Sequence, residues 1–362
     1  MTSVNRLNPL LNWGLRLTTL SCLAGGVLAA EISPPQKQQS IPSAEAQVPE
    51  RFAQWCQQRD RLRETTQRTI EVMLRRADRQ DCLEAETRLN EIEDLNLSAH
   101  SLSDLRPLAS LTHLTRLDLS VNEIEDISPL ENLTQLEEVL LSLNQIEDIS
   151  ALEPLVNLRL LNLDRNQIED ISPLKSLEKL RVLFLNENQI EDISALNSLR
   201  ELRFLFLNDN NIEDISSLNS LVNLQTLSLN QNQIEDISPL LPLVEMYELH
   251  LDDNEIADLN GLQGMTGLNE LYLSGNQIIN IEPLSALDAL TELYIRDNKI
   301  SDISPLPDLA SLNWADFEGN EILDISPLGE MTTLVRVILR DNPVTPSTCP
   351  VAPSICQFES DV

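Results

Sequence analysis

The sequence predicts an α/β solenoid, curved, with parallel strands on its concave face, short 3₁₀ or helical turns on its convex face, and a helical N-terminal cap. Three observations carry this reading. First, one 22-residue pattern, L-x-x-L-x-L-x-x-N-x-I-x-D-I-x-P-L-x-x-L-x-x, returns twelve times between residues 92 and 344 without insertion or deletion. Its turns open at Ile92, Leu114, Leu136, Leu158, Leu180, Leu202, Leu224, Met246, Leu268, Leu290, Leu312 and Leu334. A fixed period of this length marks stacked repeats. Second, the L-x-L segment alternates with period two, as a short strand with one buried face does. Third, position 9 is Asn in eleven of the twelve turns, from Asn122 to Asn342, with His100 in the first.

The remaining pattern positions follow from stacking. In the turn opening at Leu158, the apolar residues Leu158, Leu161, Leu163, Ile168, Ile171, Leu174 and Leu177 must share one interior. A single turn leaves both apolar edges open, so neighbours have to cover them. An Asn at the bend after a strand carries donors and an acceptor for backbone groups of adjacent turns, which makes position 9 a structural ladder. Ser-Pro at positions 15 and 16, as at Ser128-Pro129, Ser172-Pro173, Ser238-Pro239, Ser304-Pro305 and Ser326-Pro327, suits Ser as N-cap and Pro as first residue of a short helical turn. Asp at position 13 (Asp126, Asp148, Asp170, Asp192, Asp214, Asp236, Asp258, Asp302 and Asp324) precedes that turn and can accept from its N–H groups. Glu at position 12 (Glu125, Glu147, Glu169, Glu191, Glu213 and Glu235) adds a second acidic row. Stacked carboxylates could attract Ca²⁺, but a solvated acidic flank is the favoured reading, and no metal or other cofactor is expected.

The pattern resembles the 22-residue leucine-rich repeat of the internalin family. The resemblance implies the leucine-rich-repeat solenoid fold. It fixes the function less tightly, because the same repeat class occurs in intracellular phosphatase-regulating proteins.

Residues 1–30 have a signal peptide's outline: Arg6 and Arg16, then LTTLSCLAGGVLAA, with no acid before Glu31. Cleavage is expected after Ala29 or Ala30. The apolar core is too short for a membrane span. Residues 31–49, rich in Pro, Gln and Ser, are expected to form a disordered linker. From 50 to 91 the apolar period becomes helical, with Phe52, Trp55 and Cys56, then Ile70, Met73, Leu74 and Ala77. This segment is the expected N-terminal cap; 345–362 form a C-terminal cap and tail.

Loss of Cys22 with the signal peptide leaves four cysteines: Cys56 and Cys82 in the cap, Cys349 and Cys356 in the tail. Four cysteines allow three pairings. Their placement at opposite ends of a long rod leaves Cys56–Cys82 and Cys349–Cys356 as the reachable ones. Such staples fit an oxidising compartment, and they resemble the disulfide-capped ends of secreted bacterial leucine-rich-repeat proteins.

The catalytic inventory is poor. His100, His113 and His250 stand in no metal-ligand or nucleophile spacing, and no phosphate-binding glycine loop is present. Asp and Glu total 58 against 25 Lys and Arg, a net charge of −33. That balance disfavours nucleic acid and acidic membranes as partners.

The informative positions are those the repeat leaves free. Strand residues 3, 5 and 7 alternate with the buried 4 and 6 and are expected on the concave face. Two patches emerge. One is apolar: Leu140, Leu160, Val182, Phe184, Phe204 and Phe206. The other mixes acid and aromatic: Glu248, His250, Glu270, Tyr272, Glu292, Tyr294 and Trp314. Aromatics make up 3% of the chain, so their gathering here points to a binding surface. The competing reading is mutual shielding of neighbouring strand side chains. Ala315 stands where the repeat expects Leu, with Phe317 turned inward to fill the space, and Asn260-Gly261 replaces Ser-Pro.

These features together predict a secreted or periplasmic, monomeric, non-enzymatic protein-binding module, gripping a partner with a basic patch on its concave face. Two alternatives use the same fold: glycan or peptidoglycan binding through Tyr272, Tyr294 and Trp314, and a regulatory subunit of a phosphatase-like enzyme. Unlike surface-anchored internalins, the chain closes on ICQFESDV without a sorting motif or apolar tail.

Overall fold

The computed structural model describes residues 50–345 and 347–359. The expected signal peptide and linker lie outside the described residues. Twelve strands of three residues each, β1 (Asp94–Asn96) to β12 (Arg336–Ile338), follow one another at the repeat spacing, and a thirteenth, β13 (Cys356–Gln357), comes from the tail. All pair in sequence order in one parallel, open sheet. Register is strict: each residue faces its counterpart one turn later, as Phe184 faces Phe206 and Tyr272 faces Tyr294.

Stacking buries the expected apolar columns. In the turn opening at Leu158, six of the seven apolar side chains are fully enclosed and Ile171 is 1% exposed. One continuous cluster runs from Phe52 in the helices to Cys356 in the tail. At Ala315 the missing volume is supplied by Phe317, which is fully buried.

The Asn column ties each turn to the one before it. The Asn166 Oδ1 accepts from the Ile146 N–H at 3.1 Å, while its Nδ2 donates to the Leu141 and Leu163 carbonyls, both at 3.0 Å. The same bonds recur at every rung from Asn122 to Asn342. Each rung therefore satisfies backbone groups that the bend would leave buried and unpaired.

A 3₁₀ turn forms on the opposite side of each of the first eleven repeats. Its capping differs from the sequence expectation. Ser128 occupies the first 3₁₀ position and not the cap; the Asp126 Oδ1 accepts its N–H at 2.8 Å. The pattern repeats at Asp148, Asp170, Asp192 and Asp236. A carboxylate two residues ahead reaches this N–H better than the residue's own hydroxyl, so the capping role belongs to Asp. At Asn260-Gly261 the backbone passes so close to the previous turn that a Cβ on Gly261 would lie 2.1 Å from the Ile237 carbonyl oxygen.

Three helices precede the repeats: α1 (Phe52–Gln57), α2 (Glu64–Ala77) and α3 (Cys82–Leu89). Cys56 and Cys82 are disulfide-bonded, joining α1 to α3. The helices dock on the first turn through Thr69 Oγ1, which donates to the Asp104 carbonyl at 2.7 Å, and through Arg106, which lies 5.2 Å from the Trp55 ring centre. Burial raises the Asp104 carboxyl, but hydrogen bonds from Arg106 and Thr66 outweigh it and hold the group below its ordinary range. At the far end a second disulfide joins Cys349 to Cys356 beside β13.

Replacing Asn166 by Ala strands the buried Ile146 N–H and takes one of two amide donors from each of the Leu141 and Leu163 carbonyls, which keep those of Asn144 and Asn188. The expected cost is about 2–4 kcal/mol, against under about 0.5 kcal/mol for the exposed Gln167→Ala, measured by denaturant unfolding of each variant.

Candidate concave-face binding site

The strict register turns each outward strand position into a column across the sheet. The central strands are β5 (Val182–Phe184), β6 (Phe204–Phe206), β7 (Thr226–Ser228), β8 (Glu248–His250), β9 (Glu270–Tyr272) and β10 (Glu292–Tyr294). Along position 5, Phe184 and Phe206 stack with ring centres 4.7 Å apart and planes 5° apart. Further along, His250 stacks on Tyr272 at 4.1 Å, and Tyr272 on Tyr294 at 4.6 Å. Offset ring pairs of this kind contribute about 0.5–1.5 kcal/mol each beyond their buried area.

The structure therefore gives these side chains both parts that the sequence left in competition. They lie on one outward face, and they shield one another. Leu140, Leu160, Val182, Phe184 and Phe206 are half-buried; Phe204 is the most open of the apolar patch, at 36% exposure. Glu248, Glu270, Glu292, His250, Tyr272, Tyr294 and Trp314 are also half-buried.

Position 3 fixes the tips of position 5. The Glu248 Oε1 lies 2.8 Å from the His250 Nε2. The Tyr272 hydroxyl donates to the Glu270 Oε2 at 3.0 Å, and that of Tyr294 to the Glu292 Oε2 at 2.8 Å. Burial, then the hydrogen bond to its glutamate, pushes the Tyr294 hydroxyl up to about 12 and moves Tyr272 in the same direction. The result is a rigid row of rings whose polar edges are acidic. Trp314 follows on β11 (Trp314–Asp316), with the Arg336 guanidinium 5.3 Å from its ring centre.

Position 7 departs from the sequence reading, which placed it on the free concave surface. It forms a second ladder. The Asp164 Oδ1 accepts from the Asn186 N–H at 2.7 Å, and the Asn186 Oδ1 from Asn208 at 2.9 Å. Asn208 and Asn230 continue it, each at 2.8 Å, and the Asp252 Oδ1 ends it on the Ser274 N–H at 2.6 Å. Beyond it, charges take over: the Glu318 carboxylate lies 2.9 Å from Arg296 and 2.5 Å from Arg340. The run Asp-Asn-Asn-Asn-Asp at 22-residue spacing was the available signal; the strand's alternation obscured it.

The position-13 carboxylates lie on the flank away from these columns. The backbone N–H two residues on, at Ser150, Ser194, Ser238 and Ser326, followed by the same residue's side chain, holds Asp148, Asp192, Asp236 and Asp324 below the usual carboxylate range. Among the described residues no group of three or more His, Cys, Asp and Glu is placed to hold a metal ion. Nor is any described helix long and apolar enough to cross a membrane.

Comparison with known proteins adds to this geometry. The family model for leucine-rich repeats (2 copies) matches residues 112–155, 134–176, 156–198, 178–220, 200–242 and 266–308. An internalin (inlF) from Listeria monocytogenes is 35% identical, with a TM-score of 0.73 over 76% of this chain and 82% of that one. Internalin C2 from the same organism is also 35% identical, with a TM-score of 0.50 over 51% of this chain and 82% of that one. A leucine-rich-repeat protein of Leptospira interrogans, 22% identical, has a TM-score of 0.61 over 72% of this chain and 81% of that one, and shows the fold alone. No curated protein matches the chain.

Burial pushes the Asp252 carboxyl above its ordinary range, against the lowering bond from the Ser274 N–H. The folded chain thus holds that proton more tightly than the unfolded chain. The charged group costs stability above its folded pKa, and the cost fades as pH falls below the ordinary range. Asp252→Asn keeps the acceptor for Ser274. It should raise the melting temperature at pH 7 by roughly 1–3 °C, a gain that disappears in melts below about pH 4.

Proposed function

The chain belongs to the internalin-like leucine-rich-repeat family, and from that premise we propose that it is an exported, non-enzymatic binding protein whose concave face grips a protein partner. Leucine-rich-repeat domains are in general protein-interaction modules. The observation that carries the reading here is the pair of ring stacks, Phe184–Phe206 and His250–Tyr272–Tyr294, set end to end along one outward column. Rings locked by stacking and by their glutamates lose little freedom on binding, which favours them as anchors.

The partner side is basic. The carboxylates of Glu248, Glu270 and Glu292 lie in one row beside the rings, in a chain of net charge −33. Association is therefore steered by charge and weakens with salt. The chain acts as a monomer after removal of residues 1–30, with 31–49 as a linker, 50–91 as cap and 345–362 closing the far end. Export to the periplasm or medium agrees with the two disulfides. A role in glycan binding would use the same Tyr272, Tyr294 and Trp314, but their hydroxyls and faces are engaged by glutamates, by each other and by Arg336.

The double variant Phe184→Ala, Phe206→Asp should abolish capture of the partner from periplasm or culture medium. It removes one stacked pair and should lower the melting temperature by no more than about 4 °C. Undiminished capture by this well-folded variant would remove the concave face from consideration. N-terminal sequencing of the exported chain should give a start at residue 30 or 31; retention of Met1 would contradict export.

A further inference from the structure

The two ring stacks are separated by one strand. Phe206, Ser228 and His250 are register partners on β6, β7 and β8, so a serine stands where the column would hold a ring. The neighbouring position 3 column breaks at the same place, running Phe204, Thr226, Glu248. Strand β7 is the one repeat strand, among the described residues, whose outward side chains are both buried: Thr226 is 8% exposed and Ser228 4%. Small side chains are enclosed to this degree only when taller neighbours flank them. Thr226 and Ser228 are the floor of a trench crossing the sheet, with Phe204 and Phe206 as one wall and Glu248 and His250 as the other. At one end it opens into a cleft of about 390 Å³ lined by Phe204, Gln225, Thr226, Val244, Tyr247 and Gly267.

The width of the trench follows from the sheet. Its walls stand two strands apart, roughly 9–10 Å. A planar group sandwiched between two faces needs about 7–8 Å, two carbon contacts of about 3.5–4.0 Å. One flat group fits, in the place of the missing ring.

The chemistry of the walls selects its charge. The Glu248 carboxylate uses Oε1 on His250; the protein contact of Oε2 is the Thr226 hydroxyl at a long 3.5 Å. The Ser228 hydroxyl donates to the Asn208 Oδ1 at 2.7 Å, leaving its oxygen to accept from above. A guest thus meets a π face on one side, a carboxylate oxygen on the other and hydroxyl oxygens beneath. A guanidinium answers all three: it is planar, cationic and rich in N–H donors, and it stacks on rings. An ammonium group answers the charge alone.

Resting on the reading of a basic protein partner at the concave face, we infer that the β7 trench is an arginine-recognition slot, in which a partner's guanidinium lies between Phe206 and His250 and pairs with Glu248. The test uses the full chain and two labelled peptides, acetyl-Gly-Arg-Gly-Arg-Gly-amide and its lysine counterpart, titrated at equal salt with anisotropy as readout. The chain should bind the arginine peptide about tenfold more tightly than the lysine peptide. Ser228→Phe fills the slot with a ring at the column's own spacing, and Glu248→Gln removes the charge. Each should reduce the preference to less than about twofold, with melting showing that the fold is kept. Equal affinity of the unaltered chain for both peptides means plain attraction to an acidic surface and overturns the inference, as does a preference that survives Ser228→Phe. The two readings separate cleanly. Loss of partner capture in the Phe184/Phe206 variant without any arginine preference leaves the concave-face reading standing and removes the slot. Partner capture indifferent to the Phe184/Phe206 variant overturns both, because Phe206 is a wall of the slot.

Discussion

One amide per turn, from the second turn onward, holds the molecule in register. Each position 9 Asn, as at Asn166, spans from its own bend to the bend of the preceding turn, where it gives the Ile146 N–H its acceptor and the Leu141 carbonyl a second donor besides Asn144. Apolar burial drives the turns together, but leucine columns are slippery, and hydrophobic contact alone tolerates displacement along the chain. A hydrogen bond has a preferred length and direction, so a rung accepts one alignment. Burial supplies the adhesion and the ladder supplies the register.

Register is also what makes a surface. Once the register is fixed, side chains 22 residues apart become neighbours at one strand spacing, and a sequence column becomes a spatial one. The stacking of His250, Tyr272 and Tyr294 and the glutamates beside them are consequences of that alignment. So is the interruption at Thr226 and Ser228, which has meaning only because rings stand in line on both sides of it. The second ladder, Asp164 through Asp252, stiffens the strand ends next to these columns and gives up outward surface to do so.

The parallel sheet, the Asn ladder and the apolar columns were legible in the sequence because each is dictated by one residue type at one spacing. Phe317 turning inward to compensate Ala315 was legible for the same reason. The outward columns were legible as addresses but not as contacts, since alternation tells which face a side chain takes and not whether it leans on its neighbour. The position 7 ladder was hidden because Asp and Asn on a strand read equally well as solvated groups. Least visible of all was position 8. Its backbone is left-handed in all twelve turns, with φ from 51° at Asp297 to 69° at Gly319, yet its residues range from Val121 to Arg165 to Gly275. Glycine stands at two of these sites, so the strain at the others, including the branched Val121, is carried by the flanking hydrogen bonds.

The rungs all reach the same way. The Asn122 Oδ1 serves Leu102, and the Asn342 Oδ1 serves Ile322, in each case a residue of the earlier turn. No turn completes itself; each waits for the following one to deliver its missing acceptor. A nascent chain, appearing amino end first, therefore consolidates one repeat behind the point of emergence. The last repeat, with no successor to wait for, is finished instead by the tail strand and the Cys349–Cys356 loop.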